Sequence, residues 1–286
     1  ITGHNGFKGS WLSLLLTSLG AEIYGISLEN KDPNSLHNTL NFWNGKNEEI
    51  IDIKNFEKIN YAIKNISPDI IFHLAAQPLV RESYLNPVDT WSTNVMGTIS
   101  ILEAARSLNK KTIFIGITTD KVYQNKEWIY GYRENDRLGG NDPYSSSKAA
   151  SELAMHSWKK SFASNTKLII SSARAGNVIG GGDYAKDRII PDIIRAYKND
   201  NILNLRNPNS TRPWQHVLEP LSGYLQLGAE LFLRTNDLRN ESFNLGPEPD
   251  VNKTVEELLN EMKRSWELVN WNIEIPKDKK IKEAGL

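Results

Sequence analysis

Cysteine is absent from all 286 residues, so the chain has no disulfide framework and no thiolate metal site, which fits a reducing compartment such as the cytoplasm. Long apolar runs are absent as well. Nothing approaches the roughly 20 residues that cross a bilayer, and the helical candidates are interrupted by Ser, Lys or Asn, so a soluble protein is expected. Neither sign of charge is in excess: 34 Lys plus Arg balance 34 Asp plus Glu. Without a global field to draw in nucleic acid or anionic lipid, any anionic ligand must be held by a local site. No fixed-period repeat is present, which argues against a solenoid. No His/Asp/Glu cluster has metal-ligand spacing, so no metal is expected.

What is present is an alternation of two periodicities. Residues 10–19 carry leucines at helical spacing and stop at Gly20, and 22–28 then alternate as a short strand. The same succession follows in 55–65 (helix), 69–74 (buried strand), 95–108 (helix), 111–117 (strand), 149–161 (helix) and 168–172 (strand). Such βα steps predict an α/β protein with a doubly wound parallel sheet over residues 1–173. Beyond Ala173 the punctuation becomes Gly- and Pro-rich (GNVIGGGD, RNPNSTRPWQ, LGPEPD) around helices at 189–198 and 217–233. Residues 174–286 therefore read as a smaller lobe, with some segments returning to the main sheet. Residues 29–49 have no period and are expected as loop. The opening Ile1-Thr2-Gly3 reads as the end of a strand entering a turn, so the first strand is expected to begin upstream.

Three constellations carry chemistry. Gly3, Gly6 and Gly9 follow a strand end and open a helix, where glycine lets backbone N–H groups approach a pyrophosphate at the positive helix terminus. His4 and Lys8 are candidate extra phosphate contacts. A ribose-binding acid belongs about 20 residues further on, and Glu29 lies near that place, which leaves NAD against NADP open. The second constellation is Tyr144 and Lys148, four apart at a helix start and hence on one face; an ammonium beside a phenol is expected to lower its pKa toward the range of a general base. The third, Thr118-Thr119-Asp120-Lys121, follows a strand at the carboxyl edge of the sheet, the usual ligand side. Asn177, Arg188 and Arg212 are candidates for gripping an anionic substrate, Arg forks being suited to a diphosphate, with Arg81 a similar candidate. His73 lies inside a buried run and reads as a hydrogen-bonded core residue.

In these motifs the chain resembles the extended short-chain dehydrogenase/reductases. The resemblance covers nearly its whole length: TGxxGxxG, Asp52-Ile53, His73-Leu74-Ala75-Ala76, Asn94 within STNVMGT, TTDKVY, YSSSK and ARAGNVIGGGD. Within that superfamily GFKGSWL, AAQPLVRESY, TTDKVY and TRPWQHVLEPLSGYL resemble the CDP-glucose 4,6-dehydratases. The resemblance implies a Rossmann-like domain holding NAD, or NADP, through Gly3, His4, Asn5, Gly6, Phe7 and Lys8 of the turn. Further cofactor contacts are implied for Asp52, Ile53, Leu74, Ala75, Ala76, Asn94 and Thr118, together with Tyr144 and Lys148.

It also implies a lyase in which Tyr144, assisted by Lys148 and Thr119, takes the 4-hydroxyl proton while hydride leaves C4. Asp120 then protonates the departing C6 hydroxyl, Lys121 removes the C5 proton, and the hydride returns to C6. Related dTDP-glucose dehydratases carry Glu where Lys121 stands. Substrate contacts are implied for Gln77, Arg81, Asn177, Arg188 and Arg212, with CDP-glucose or a similar sugar nucleotide as partner. A homodimer or homotetramer is implied, packed through the helices at 95–108 and 149–161. The alternatives are a 4-epimerase, which needs no Asp–Lys couple, a dehydratase for another sugar nucleotide, a reductase that releases its cofactor, and a non-catalytic NAD(P)-binding scaffold.

Overall fold

The computed structural model describes residues 1–40, 43, 47–233, 241–248 and 251–274. Its main sheet runs, edge to edge, β2 (Glu48–Ile50), β1 (Gly25–Ser27), the single residue Thr2, β3 (Ile70–His73), β4 (Thr112–Thr119), β5 (Leu168–Ala175) and β10 (Ser242–Leu245), all parallel. Thr2 does the work of a central strand: its N–H donates to the Phe72 carbonyl at 3.0 Å and its carbonyl accepts from Leu74 N at 3.1 Å. On its other side Gly3 N donates to Ile26 O at 2.7 Å.

All eight residues of β4 are buried, because both faces of the sheet are covered. Ile113, Ile115 and Ile117 pack with Leu12 of α1 (Phe7–Ser18) and with Leu221 and Tyr224 of α9 (Leu218–Leu233). Phe114 faces the other way, onto α3 (Phe56–Ile66), α6 (Gly97–Arg106) and α7 (Pro143–Phe162), through Ile59, Ile101 and Met155. Each such apolar side chain stabilises the fold by about 1.5–3 kcal/mol relative to exposure. α9 and β10 lie beyond residue 173 yet belong to this sheet and its covering layer.

The remaining segments form a lobe around Ile193 of α8 (Ile189–Lys198), Leu205 and Leu259 of α10 (Val255–Ser265). Short pairs tie it down: β7 (Leu203–Leu205) with β12 (Trp271–Ile273), β8 (Thr211–Pro213) with β11 (Asn252–Thr254), and β6 (Val178–Ile179) with β9 (Gln215–His216). The helix α10 was not anticipated from the sequence, although its capping box was there to be read. Thr254 Oγ1 accepts from Glu257 N at 3.0 Å, and Glu257 Oε2 accepts from Thr254 N at 2.7 Å.

Several boundaries differ from the expectations. The helix expected at 95–108 begins earlier, as α5 (Pro87–Trp91), and continues through a π-helical turn at Ser92–Met96 into α6. Pro87 starts it because a proline at the first helical position loses no hydrogen bond. The stretch 29–49, expected as loop, contains α2 (Leu36–Leu40) and the start of β2; residues 41, 42 and 44–46 lie outside the described residues, as do Pro249 and Asp250 of LGPEPD. Among the described residues no helix is long and apolar enough to cross a membrane.

His73 locks the first strand to the helical layer, and its ring is 4 % exposed. Nδ1 lies 2.7 Å from Thr2 Oγ1 and Nε2 3.0 Å from Thr98 Oγ1. Burial brings its pKa down to about 3. An unfolded His takes up its proton near 6.5 while the folded one does not, so folded-state stability is lost as pH falls through 6.5. His73 alone should remove about 2 kcal/mol between pH 7 and 5. Urea unfolding at the two pH values checks this, and a loss of equal size in His73→Gln would refute it.

Candidate active site

A cleft of about 810 Å³ opens at the carboxyl ends of β1, β3, β4 and β5. Its floor is the glycine turn. Gly3 has φ +71°, and a Cβ there would come within 2.8 Å of Ala75 N. A Cβ on Gly9 would lie 2.1 Å from Gly3 O, so the helix α1 can close on the turn only without one. Gly6 caps α1 with no side-chain acceptor on its first N–H groups, a helix terminus suited to an anion. Asn5, Phe7 and Lys8 line the cleft beside it. Burial, then Arg188, brings the Lys8 pKa down to about 8, with Asp120 opposing.

Opposite the turn, Asp142 caps α7 by accepting from Ser145 N at 2.9 Å, with Pro143 in the first turn. This fixes Tyr144 and Lys148 one turn apart, facing the end of β4. Tyr144 shares a hydrogen bond with Thr119, whose hydroxyl donates to Asp120 Oδ1 at 2.9 Å. Lys121 lines the cleft next to them. The Asp120 carboxylate lies beside it, where a Cβ on the cleft-lining Gly176 would meet Oδ2 at 3.0 Å.

The expectation that Lys148 would lower the Tyr144 pKa is not met. Burial pushes the phenol up to about 12, against the pull of its Thr119 bond. Lys148 Nζ instead donates to the Ile117 carbonyl at 2.9 Å, and burial brings its own pKa down to about 8, with Glu152 opposing. Asp120 and Lys121 are half-buried.

Of the cofactor set, Asp52, Ile53, Leu74, Ala75, Ala76 and Thr118 line the cleft with the turn. His4 does not. Its side chain is fully buried behind the turn, with Nε2 2.8 Å from Glu48 Oε1, and His37 Nε2 approaches the same oxygen at 3.2 Å. This brings together a His–His–Glu cluster that sequence spacing did not foretell. Both Nδ1 atoms lack a hydrogen-bond partner, whereas metal-bound imidazoles normally donate that N–H, so the cluster reads as two N–H donors on one carboxylate. Asn94 is buried, exchanging hydrogen bonds with the Gln77 backbone at 2.8 and 3.1 Å and reaching Ser147 at 2.9 Å. The Gln77 amide closes its own turn on Leu79 and Thr90.

Arg81, Asn177, Arg188 and Arg212 all line the cleft. Arg188 pairs with Asp183 at 2.8 Å and Arg81 with Asp187 at 3.0 Å. Sequence reasoning did not single out Thr93, Leu79, Trp214 and Asp183 on the walls, although each lies inside a motif that carries the resemblance. Glu29, which lies only near the place expected for a ribose-binding acid, also lines it, just past β1.

A glycine turn before a helix, a Tyr–Lys pair and a doubly wound sheet define a Rossmann-fold enzyme of the extended short-chain dehydrogenase/reductase class. Within that class the chain belongs to the GDP-mannose 4,6-dehydratase family, whose model matches residues 1–280. It is 46% identical over 271 residues to a CDP-glucose 4,6-dehydratase of Salmonella typhimurium, covering 93% of this chain and 75% of that protein. Its fold is similar to that of a UDP-glucose 4-epimerase from Thermotoga maritima, with TM-score 0.81 at 20% identity over 97% of this chain and 85% of that one. It is likewise similar to that of a dTDP-glucose 4,6-dehydratase from Bacillus anthracis solved in complex with NAD, with TM-score 0.74 at 21% identity over 96% and 83%.

Gly3→Ala tests the turn. The new Cβ meets the Ala75 backbone at a positive φ, so stability should fall by about 1–3 kcal/mol and nicotinamide dinucleotide affinity at least about tenfold. Urea unfolding and NADH fluorescence titration read both effects; wild-type affinity would remove the turn from the cofactor site.

Proposed function

We propose that the chain converts CDP-glucose to CDP-4-keto-6-deoxyglucose and water. The observation that carries this is the series Tyr144–Thr119–Asp120 with Lys121 beside it, on a cleft that Arg81, Arg188 and Arg212 share. The 46% identity to the Salmonella CDP-glucose enzyme supports the choice of sugar nucleotide.

The glycine turn and the uncapped start of α1 suit a dinucleotide pyrophosphate, and Glu29 beyond β1 suits the unphosphorylated ribose of NAD. Bound nicotinamide would accept hydride from C4 and return it to C6. Tyr144 takes the 4-hydroxyl proton, which Thr119 can hand along its hydrogen bond toward Asp120. Tyr144 needs a neighbouring cation to ionise against the burial that raises its pKa, and Lys148 is the nearest lysine on its own helix. With C4 a ketone, Lys121 removes the acidified C5 proton and Asp120 gives a proton to the departing C6 hydroxyl, so water leaves. An epimerase requires neither step. The arginines hold the diphosphate through charge-assisted bonds. We also read a cytoplasmic homodimer, for which the exposed Met96 and Leu153, beside and on the α6–α7 face, supply apolar surface.

Incubation with CDP-, dTDP- and UDP-glucose and GDP-mannose, followed by the alkali-induced ultraviolet absorbance of a 4-keto sugar, tests the assignment. Product from CDP-glucose is expected; C4 epimers in its place would overturn it. Tyr144→Phe should lower kcat by about 10²- to 10⁴-fold. Asp120→Asn and Lys121→Met should still oxidise C4 but fail to eliminate, and so accumulate the near-ultraviolet absorbance of reduced nicotinamide. Undiminished 4-keto-6-deoxy product from both variants would place the elimination groups elsewhere.

A further inference from the structure

Behind the cleft, one turn beyond Lys148 on α7, Glu152 forms a buried ion pair with Arg174 of β5, their side chains 3 % and 4 % exposed. Arg174 donates Nε to Oε1 at 3.0 Å and a terminal nitrogen to Oε2 at 3.1 Å. Thr118 Oγ1 donates to Oε1 at 2.5 Å and Ser172 Oγ to Oε2 at 2.7 Å. The guanidinium extends the network by donating to the Tyr123 hydroxyl at 2.8 Å and to the Glu134 carbonyl at 2.9 Å. One carboxylate thus ties the helix that bears Tyr144 and Lys148 to the residue before Thr119, and its partner arginine ties in the segment just after Lys121.

A buried ion pair is weak evidence for stability, since desolvation of both charges offsets much of their attraction. A role in the site accounts for this one better. The ionisable groups around Lys148 are Tyr144 and Glu152 on its own helix, Lys8 at the start of α1, and His73 at the end of β3. Burial keeps His73 and Tyr144 in their neutral forms, and Lys8 is a second cation. Glu152 is the anion of that set.

We propose that Glu152 is a positioning residue: through Thr118 it sets the end of β4 against α7, and through its charge it keeps Lys148 an ammonium ready to serve Tyr144. Glu152 touches neither substrate nor cofactor in this scheme. The assignment rests on the dehydratase reading only for the meaning of the rate, not for the state of Lys148.

The test is the full-length double variant Glu152→Gln/Arg174→Gln, which removes both charges and keeps two amides of similar shape. Its fold is checked by circular dichroism and urea unfolding. The pH dependence of Lys148 acetylation by acetic anhydride, read by mass spectrometry, needs no turnover. The midpoint should fall below about 8 as the neighbouring anion is lost. With CDP-glucose, kcat should drop at least about tenfold with KM nearly unchanged, and its alkaline limb should shift with Lys148. A wild-type Lys148 midpoint in the folded variant overturns the assignment whatever the rate. Should the double variant not fold, Glu152→Asp withdraws the carboxylate by one methylene and is judged by the same midpoint. Absence of 4-keto product from the wild-type protein would count against the proposed function alone, because the acetylation midpoint would still decide the role of Glu152.

Discussion

The site depends on a strand that is apolar through its middle and carries two threonines at its carboxyl end. Both faces of β4 are covered, so its isoleucines and Phe114 hold the strand rigidly between two helical layers. Thr118 and Thr119 are the last residues of that strand, still buried, and Asp120 and Lys121 are the first outside it. A parallel sheet with covered faces leaves only its carboxyl edge open to a ligand. Reactive groups placed there inherit the rigidity of the core while keeping access to the cleft.

Burial at that edge has an electrostatic consequence. The same low-dielectric surroundings that push the Tyr144 phenol up to about 12 bring Lys148 and Lys8 down to about 8, so each group is held nearer its neutral form than it would be in water. Proton transfer within the cleft then turns on which charges lie close, not on intrinsic basicity. Glu152 and Asp120 are the anions beside these lysines, and each is fixed by a hydrogen bond from the β4 threonines.

Much of this was legible beforehand. The glycine turn, the Tyr–Lys pair and the Thr-Thr-Asp-Lys run are local patterns, and local patterns fold into local shapes: a turn, a helix start, a strand end. The cleft-lining Arg81, Arg188 and Arg212 were also found, from motifs on three separate segments. What was not legible is a side chain's partner when that partner is remote in sequence. His4 looked like a phosphate contact because of its neighbours, but Glu48, 44 positions away, draws it behind the turn. Asn94 and Gln77 each read as ligand contacts and turn out to bond to one another's segment, 17 residues apart. Glu152 carried no signal at all, since its donors come from β4, β5 and β10.

By itself, then, the sequence determined the class of fold and the identity of the reactive groups, because periodicity and short motifs depend on residues within a turn or two of each other. Only the tertiary structure decided which candidates face the cleft, how burial moves their protonation, and that a buried carboxylate on α7 joins β4 to β5. Those properties arise from distance and dielectric between segments far apart in the chain, and neither quantity is written in the order of residues along any one segment.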